Sequence, residues 1–279
     1  MTTLELDDRR AGARLGRLDR ALRRRDLMLA VVTPILLLVA WELAARSGLL
    51  DDKLFSEPSQ VLVAARRLIE SGTLGNDLRA SLLRIAGGYS AGAALGVTTG
   101  LLLGRFRAAR ASLSPTFAAL YSVPKIAILP LLLLVFGLGE TTKLMIVAIP
   151  TFFVMEITTM DGVRGLDPRL LDAGRAYGAG GLKLFVHILL PGVLPAVFTG
   201  LRIAAGLAIT VIIAAEFVAA NEGLGFLIWN SWQLLQPENM YVGLITVALL
   251  GAAITGLVTV LERVALPYRR RGDFSTPDY

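Results

Sequence analysis

Long apolar runs constrain this sequence more than any other feature. A helix needs roughly 20 apolar residues to cross a bilayer, and runs of about that length recur along the chain. They cover residues 27–45, 82–104, 126–138, 144–160, 190–217 and 241–264. The third run is short, but residues 113–123 precede it, so Pro124 is expected to break one longer passage that is bent or re-entrant. We therefore predict an all-α, polytopic membrane protein with six transmembrane helices surrounded by membrane lipid.

The composition supports this class and excludes several others. Hydrophobic residues make up 54% of the 279 residues, which is more than one water-soluble core normally uses. The net charge of +6 does not indicate nucleic acid as a partner, because the basic residues lie beside apolar runs instead of forming one basic domain. With no cysteine and a single histidine, His187, the sequence predicts no metal site and no thiol nucleophile. We identify no catalytic residues.

Lysine and arginine are distributed unevenly between the two sides of the membrane. The leading tail contains eight arginines between positions 9 and 25, and the positive-inside rule places such a tail in the cytoplasm. Alternation over six spans then puts both termini in the cytoplasm. Residues 1–26 and 269–279 are predicted to be cytoplasmic tails, and residues 27–268 the transmembrane domain. The basic pair at positions 66 and 67 is an exception on the outer side, which we assign to a short interfacial helix.

The first apolar run has an alternative interpretation as a cleaved signal peptide, because it follows a basic region. However, the basic leader alone is about as long as a whole signal peptide usually is. The run also lacks a clean small-x-small cleavage site before the outer loop. We favour an uncleaved first span.

A half-polar segment, residues 166–191, lies between the fourth and fifth runs on the cytoplasmic side. Asp167 can cap a helix, since its carboxylate accepts hydrogen bonds from the free N–H groups of the first turn, and Pro168 suits the first helical position. The helix is expected to cover residues 169–177. It should end at Gly178, because glycine readily adopts the left-handed conformation that ends helices.

A second short helix is expected over residues 182–190, ending where the membrane resumes at Pro191. Helices of this length are far too short to cross a bilayer, and packing must hold them because they are marginal alone in water. Capping and length leave two interpretations open. The segment is either a connector packed on its own spans or a docking element that a partner grips.

The spacing within this segment resembles the EAA loop of permease subunits from ABC importers. That loop has the pattern Glu-Ala-Ala, three residues, Gly, nine residues, Ile, one residue, Leu-Pro. The corresponding positions here are Asp172, Ala173, Gly174, Gly178, Ile188, Leu190 and Pro191. Asp172 replaces the usual Glu and Gly174 replaces the second Ala, which keeps the acidic charge and the small volume. The resemblance implies that these residues couple the chain to an ATPase.

The resemblance covers most of residues 27–271. The segment VPKIAILPLLLLVFGLGETTK, residues 123–143, is similar to the Pro-rich third-span segment of permeases for nitrate, taurine and aliphatic sulfonates. The segment EFVAANEGLGFLIW, residues 216–229, and a last span that ends in LER are also similar to that family. What this resemblance implies is a type I importer permease in the bacterial inner membrane, carrying a small solute such as a sulfonate, taurine or nitrate.

The resemblance also implies partners: cytoplasmic ABC ATPase subunits, an extracytoplasmic substrate-binding protein and a second permease copy. The sequence contains no Gly-x-x-x-x-Gly-Lys-[Ser/Thr] loop, so we expect this chain to bind no cofactor and ATP to be used by the partner subunit. The alternatives are a self-sufficient secondary carrier and a membrane-embedded enzyme. A carrier usually has a detectable internal repeat and an enzyme has clustered catalytic groups, and we find neither pattern in the sequence.

Charged side chains inside the spans are candidates for contact with a substrate. Charges are costly in lipid and usually face a partner or a water-filled path. The candidates are Glu42, Arg84, Glu156, Arg202 and Glu216. We expect Glu42, Arg84 and Glu156 to reach the membrane interface from near the ends of their spans. Arg202 and Glu216 are candidates for the substrate pathway, and the alternative for Arg202 is that it holds cytoplasmic carbonyls or phospholipid. These two residues are separated by nearly four helical turns and so cannot pair directly, and an inward-facing Arg202 would attract an anion.

Small residues are concentrated at positions 87–100, with the sequence GGYSAGAALGVTTG. Small side chains let the backbones of two membrane helices approach closely. We therefore expect this part of the second span to pack against another span or another subunit.

Overall fold

The computed structural model describes residues 28–30, 32–49, 51 and 55–267, and most of them are helical. The α-helices are α1 (Met28–Arg46), α2 (Pro58–Glu70), α3 (Thr73–Arg105), α4 (Arg107–Ser122), α5 (Leu129–Phe136), α6 (Glu140–Arg164), α7 (Pro168–Ala176), α8 (Gly181–Leu184), α9 (Leu190–Ala219), α10 (Leu224–Gln233) and α11 (Pro237–Ala265). A 3-10 turn, Lys125–Ile128, precedes α5, and a π-helical turn, Phe185–Leu189, joins α8 to α9. The all-α class predicted from the apolar runs is confirmed. The tails predicted at 1–26 and 269–279 lie outside the described residues.

Among the described residues, five helices are long and apolar enough to cross a membrane, and the number is six if a bent pair counts as one span. The pair is α4 and the segment Lys125–Phe136, which meet at an angle of 92°. Val123 and Pro124 form the break, both with extended backbone angles, because a proline disfavours helical geometry in the residue before it. This is the broken third passage that the sequence predicts.

Helices α3 and α6 run parallel with their backbones in close contact. The contact follows glycines at every fourth position of α3, namely Gly88, Gly92, Gly96 and Gly100, which lie against backbone carbonyls of α6. A Cβ atom on Gly88 would lie 2.6 Å from the carbonyl oxygen of Leu144, and one on Gly100 would lie 2.5 Å from that of Glu156. The expectation that residues 87–100 pack closely against another span is therefore confirmed.

Helix α9 covers another side of α6, and side chains between the helices form two apolar clusters. One cluster lies at the α3 and α6 N-terminal halves and includes Ile85, Ile146, Val147, Ile212 and Leu224. The other lies at their C-terminal halves and includes Val154, Met155, Val163, Val193 and Val197. The two clusters thus hold α3, α6 and α9 together along their length.

The second short helix of the half-polar segment differs from its prediction. Instead of ending at Pro191, it continues through the π-helical turn into α9, so that Gly181–Ala219 is one helical span of 39 residues. Pro191 has no N–H to donate to the carbonyl four residues earlier, and its ring would crowd that carbonyl. The turn before it widens, with the Leu190 N–H donating to the Phe185 carbonyl, and this geometry lets the helix pass the proline.

Substituting Gly96 by alanine should destabilise the protein, because the new Cβ would lie 2.5 Å from the Phe152 carbonyl oxygen and the two backbones would have to separate. Overpacking of this kind costs about 1–3 kcal/mol. The measurement is the thermal unfolding midpoint of the purified protein in detergent. Gly75→Ala, in the same helix with no atom within 4 Å of the new Cβ, is the matched control. Equal midpoints for the two variants would contradict the close contact between α3 and α6.

Candidate functional site

Helix α7 has the end structures that its sequence predicts. The Asp167 carboxylate accepts a hydrogen bond of 2.9 Å from the Arg169 N–H, and Pro168 occupies the first turn. At the other end Gly178 has a positive φ of 80°, and the following N–H, that of Ala179, donates to the Gly174 carbonyl over 2.9 Å. These contacts satisfy backbone groups that a short helix would otherwise leave free, so the helix is fixed in length and direction.

Gly174 is the buried residue of α7, and it lies against the helical turn that leads into α9. A Cβ atom there would overlap the Ile188 side chain and would lie 3.0 Å from that of Leu184. The small volume at this position is therefore what lets α7 pack on the start of the long helix. Two residues of the predicted coupling set, Gly174 and Ile188, thus meet directly.

The other residues of the set lie around this contact. Asp172 and Ala173 are exposed, and the Asp172 carboxylate accepts a hydrogen bond of 2.9 Å from Arg175. Leu190 and Pro191 are half-buried at the beginning of α9. The set therefore divides into an exposed part on α7 and a packed part at its junction with α9.

Apolar side chains around α7 are open to solvent. Leu170 is 55% exposed, Leu182 is 76% exposed and Tyr177 is 93% exposed. Neighbouring exposed apolar side chains of this size commonly mark an interaction site. Helix α7 is too short to cross a bilayer, so these side chains do not belong to a transmembrane face.

A second feature is a charge cluster centred on Arg84, in which Arg84 and Glu216 are buried and Glu140 and Glu222 are exposed. Its Nε and Nη2 atoms donate to the two carboxylate oxygens of Glu140 over 2.7 and 2.8 Å. Its Nη1 donates to Glu216 over 2.9 Å and to the Glu222 carbonyl over 2.7 Å. The Arg84 side chain is only 3% exposed, so the expectation that it reaches the membrane interface was wrong. Its partners lie 56 to 138 positions away, and no local spacing indicates them.

The same cluster fixes the chain between α9 and α10. Glu216 is fully buried and also accepts hydrogen bonds of 2.9 Å from the Ser81 hydroxyl and the Gly225 N–H. Asp77 accepts from the Gly223 N–H over 2.8 Å. Gly223 has a φ of 122°, and a Cβ there would lie 2.5 Å from the Glu216 carboxyl carbon. The turn after α9 is therefore bound both to α3 and to the carboxylate of α9.

Arg202, the other pathway candidate, forms an ion pair with Glu262 of α11. The Arg202 side chain remains 43% exposed and that of Glu262 is 15% exposed. Arg202 and Glu216 have separate partners, as their spacing predicts. Sequence reasoning missed Glu140, Glu222 and Glu262, because each meets its arginine only through tertiary packing.

Glu156 also differs from its prediction at the membrane interface. It is 1% exposed, because the close packing of α3 on α6 covers it, with Gly100 against its own carbonyl. Within the part of the chain that the structure describes, its Oε1 atom and the Thr159 hydroxyl have no hydrogen-bond partner.

Glu42 accepts a hydrogen bond of 3.0 Å from the Ser59 N–H and forms an ion pair with Arg46. The described ranges contain no group of three or more acidic or histidine side chains that could hold a metal.

Replacing Arg84 by methionine should lower the stability of the protein by about 3–5 kcal/mol, because Glu216 would be left as a buried, unpaired carboxylate. The measurement is thermal unfolding in detergent. Arg79→Met, which removes an exposed arginine from the same helix, should have little effect. The double variant Arg84→Met/Glu216→Met should recover part of the loss. A single Arg84→Met variant as stable as Arg79→Met would contradict the structural role of the cluster.

Comparisons with known proteins identify relatives that are components of membrane transport systems. Residues 92–266 match the model of the family described as "Binding-protein-dependent transport system inner membrane component". The chain is 36% identical to the putative aliphatic sulfonates transport permease protein SsuC of Escherichia coli, over 84% of this chain and 89% of the relative. It is 29% identical to the taurine transport system permease protein TauC of the same organism, over 88% and 90%. It is 30% identical to the nitrate import permease protein NrtB of a Synechocystis species, over 84% and 88%.

Two solved structures share the fold. A chain of the MetNI methionine ABC transporter, in inward-facing conformations, aligns with a TM-score of 0.57 and 19% identity, over 68% of this chain and 94% of that chain. A chain of a bacterial ABC transporter involved in import of the acidic polysaccharide alginate aligns with a TM-score of 0.60 and 13% identity, over 88% and 98%.

Proposed function

The chain belongs to the family of binding-protein-dependent transport system inner membrane components and is a permease subunit of an ABC importer, and we propose that α7 is the element through which a separate ATPase drives it. The observation that carries this proposal is the exposed apolar surface around a helix that is capped at both ends and packed on α9. A partner that grips Leu170, Tyr177 and Leu182 would bury that surface. In this proposal ATP is used by the partner, and this chain supplies the membrane path.

The connections of α7 support a mechanical role. Three residues, 165–167, join α7 to α6, and four residues, 177–180, join it to α8, which continues into α9 without a break. A displacement of α7 would therefore be transmitted directly to both long helices. Asp172 and Ala173 would face the ATPase, while Gly174, Ile188, Leu190 and Pro191 would keep α7 at a fixed angle to α9. Gly178 would allow the sharp turn between the two.

The orientation in the membrane follows from this role. An ATPase works in the cytoplasm, so α7 and both termini would lie on that side, as the distribution of arginine predicts. The Arg84 cluster, at the opposite ends of α6 and α9, would lie on the outer side. A substrate-binding protein would dock there. A second permease copy would complete the path, and the assembly would lie in the bacterial inner membrane.

We propose a small anion as the solute. The three relatives are named for aliphatic sulfonates, taurine and nitrate, and each of these carries a compact, oxygen-rich anionic group. An organic sulfonate is the first substrate to test, because the relative with 36% identity is a sulfonate permease by name. The probe is ethanesulfonate.

The test measures uptake of labelled ethanesulfonate in vesicles that contain the permease with its ATPase and binding protein. Uptake should require ATP inside and should disappear when the ATPase is omitted. Isolation of the permease in mild detergent should also bring down the ATPase. Uptake that persists without any ATPase would instead indicate a self-sufficient carrier.

Substituting Gly178 by valine should separate ATP hydrolysis from transport. A β-branched residue with a positive φ costs roughly 1–2 kcal/mol, so the turn after α7 would shift and the force would no longer reach α9 correctly. ATP hydrolysis should continue while uptake falls. Gly178→Asn is the control, because asparagine tolerates this conformation and should keep both activities. A valine variant that remains fully coupled would contradict the role of α7.

A further inference from the structure

The break between α4 and α5 brings one lysine ammonium to about half the height of the transmembrane helices. The Nζ atom of Lys125 lies 4.9 Å from the centroid of the Phe153 ring. Phe153 is close to the middle of α6, a helix of 25 residues. Because a helix of that length spans the whole hydrocarbon layer, the ammonium lies near the bilayer midplane.

Lys125 is one of the cations on the membrane helices that have no carboxylate partner among the described residues. Arg84, Lys143 and Arg202 are each paired with a glutamate. No acidic side chain of the described chain lies within 4.0 Å of the Lys125 Nζ. Glu156, one turn along α6 from Phe153, is buried but forms no ion pair with Lys125. The positive charge of Lys125 is thus left without an opposite charge.

Neutral dipoles hold the ammonium in place. Its N–H groups donate to the carbonyls of Leu120, Tyr121 and Val123 over 3.0, 2.7 and 2.8 Å. It also lies 5.1 Å from the centroid of the Tyr121 ring, and aromatic faces attract cations in dry surroundings. The Leu120 and Tyr121 carbonyls belong to the last turn of α4 and the third carbonyl to its C-cap residue, and that of Leu120 also accepts from the Val123 N–H over 3.3 Å. These carbonyls satisfy the donors of the lysine and orient it without removing its charge.

The described chain does not fully cover Lys125 and α4. None of the 16 residues of α4 is buried, and Lys125 itself is only half-buried. Lipid solvates a charge poorly, and membrane cations therefore face a partner or a water-filled path. Transport sites near the midplane are typically built at breaks in helices, where backbone groups are available. The break at Lys125 likewise lies near the midplane and has backbone carbonyls available.

We infer that Lys125 is a specificity-determining residue of the path, where its ammonium meets the anionic group of the solute as it crosses the middle of the membrane. This inference rests on the proposed function, and it names the residue that selects an anion there. The three carbonyl contacts keep the lysine from binding the anion permanently, since they compete for the same N–H groups. Conduction needs contacts of this moderate strength.

Three substitutions separate this role from a structural one. Glutamine removes the charge but can still donate to the α4 carbonyls, methionine removes both the charge and the donors, and arginine keeps both. Uptake of ethanesulfonate is measured in vesicles with the ATPase and binding protein present. ATP hydrolysis is measured in the same vesicles. Arg263→Gln, which removes an exposed cation from the end of α11, is the control for loss of one positive charge.

Lys125→Gln and Lys125→Met should both lower the maximal uptake rate by about tenfold or more, while Lys125→Arg retains most of it, since one charge in a site of low dielectric lowers the energy barrier for an anion in the path on that scale. ATP hydrolysis should continue in all of them, and Arg263→Gln should transport normally. If Lys125→Gln transports like the wild type and only Lys125→Met fails, the lysine is a helix cap and the inference is overturned, while the proposed function stands. If the wild type takes up no ethanesulfonate, the proposed substrate class fails, and the inference fails with it.

Discussion

Close contact between the backbones of α3 and α6 is the interaction on which the rest of the structure depends. Lipid offers no hydrogen bonds, so membrane segments are helical and must associate through shape and through polar contacts between helices. The glycines of α3 allow the two backbones to touch over several turns. That approach brings Arg84 of α3 within hydrogen-bonding distance of Glu140 at the first turn of α6. Without it, Arg84 and Glu216, which are both buried, would lose the packing that pairs them.

The Arg84 cluster and helix α7 lie at opposite ends of the same two helices. Helix α6 begins at Glu140, in the cluster, and ends at Arg164, three residues before the cap of α7. Helix α9 begins next to α7 and ends near Glu216, again in the cluster. Both helices that α7 could move are therefore bound to one arginine at their far ends. If α7 couples the chain to an ATPase, as we propose, a push there would reach two helices that share one anchor at their far ends.

Much of this architecture could be predicted from the sequence, because the predictions rest on local physics. Apolar length predicts the spans, Pro124 predicts the break in the third passage, and Asp167 and Gly178 predict the ends of α7. The remaining features depend on contacts between distant residues. Arg84 and Glu156 lie near the ends of apolar runs, which predicts a position at the interface, but α3 and α6 extend further than those runs and both side chains are buried. The continuation through Pro191 depends on a π-helical turn, which no spacing indicates.

The central claim is that α7 is exposed in the cytoplasm and is gripped there by an ATPase. Because the chain has no cysteine, a single cysteine at Tyr177, which is 93% exposed, can be labelled with a membrane-impermeant maleimide. A cysteine at the exposed Gln233, at the end of α10, reports the opposite side. The account predicts that Tyr177→Cys reacts with the maleimide in inside-out vesicles and does not react in intact spheroplasts. Bound ATPase should protect it from the reaction in the vesicles. Reaction of Tyr177→Cys from the outside of intact spheroplasts would contradict it.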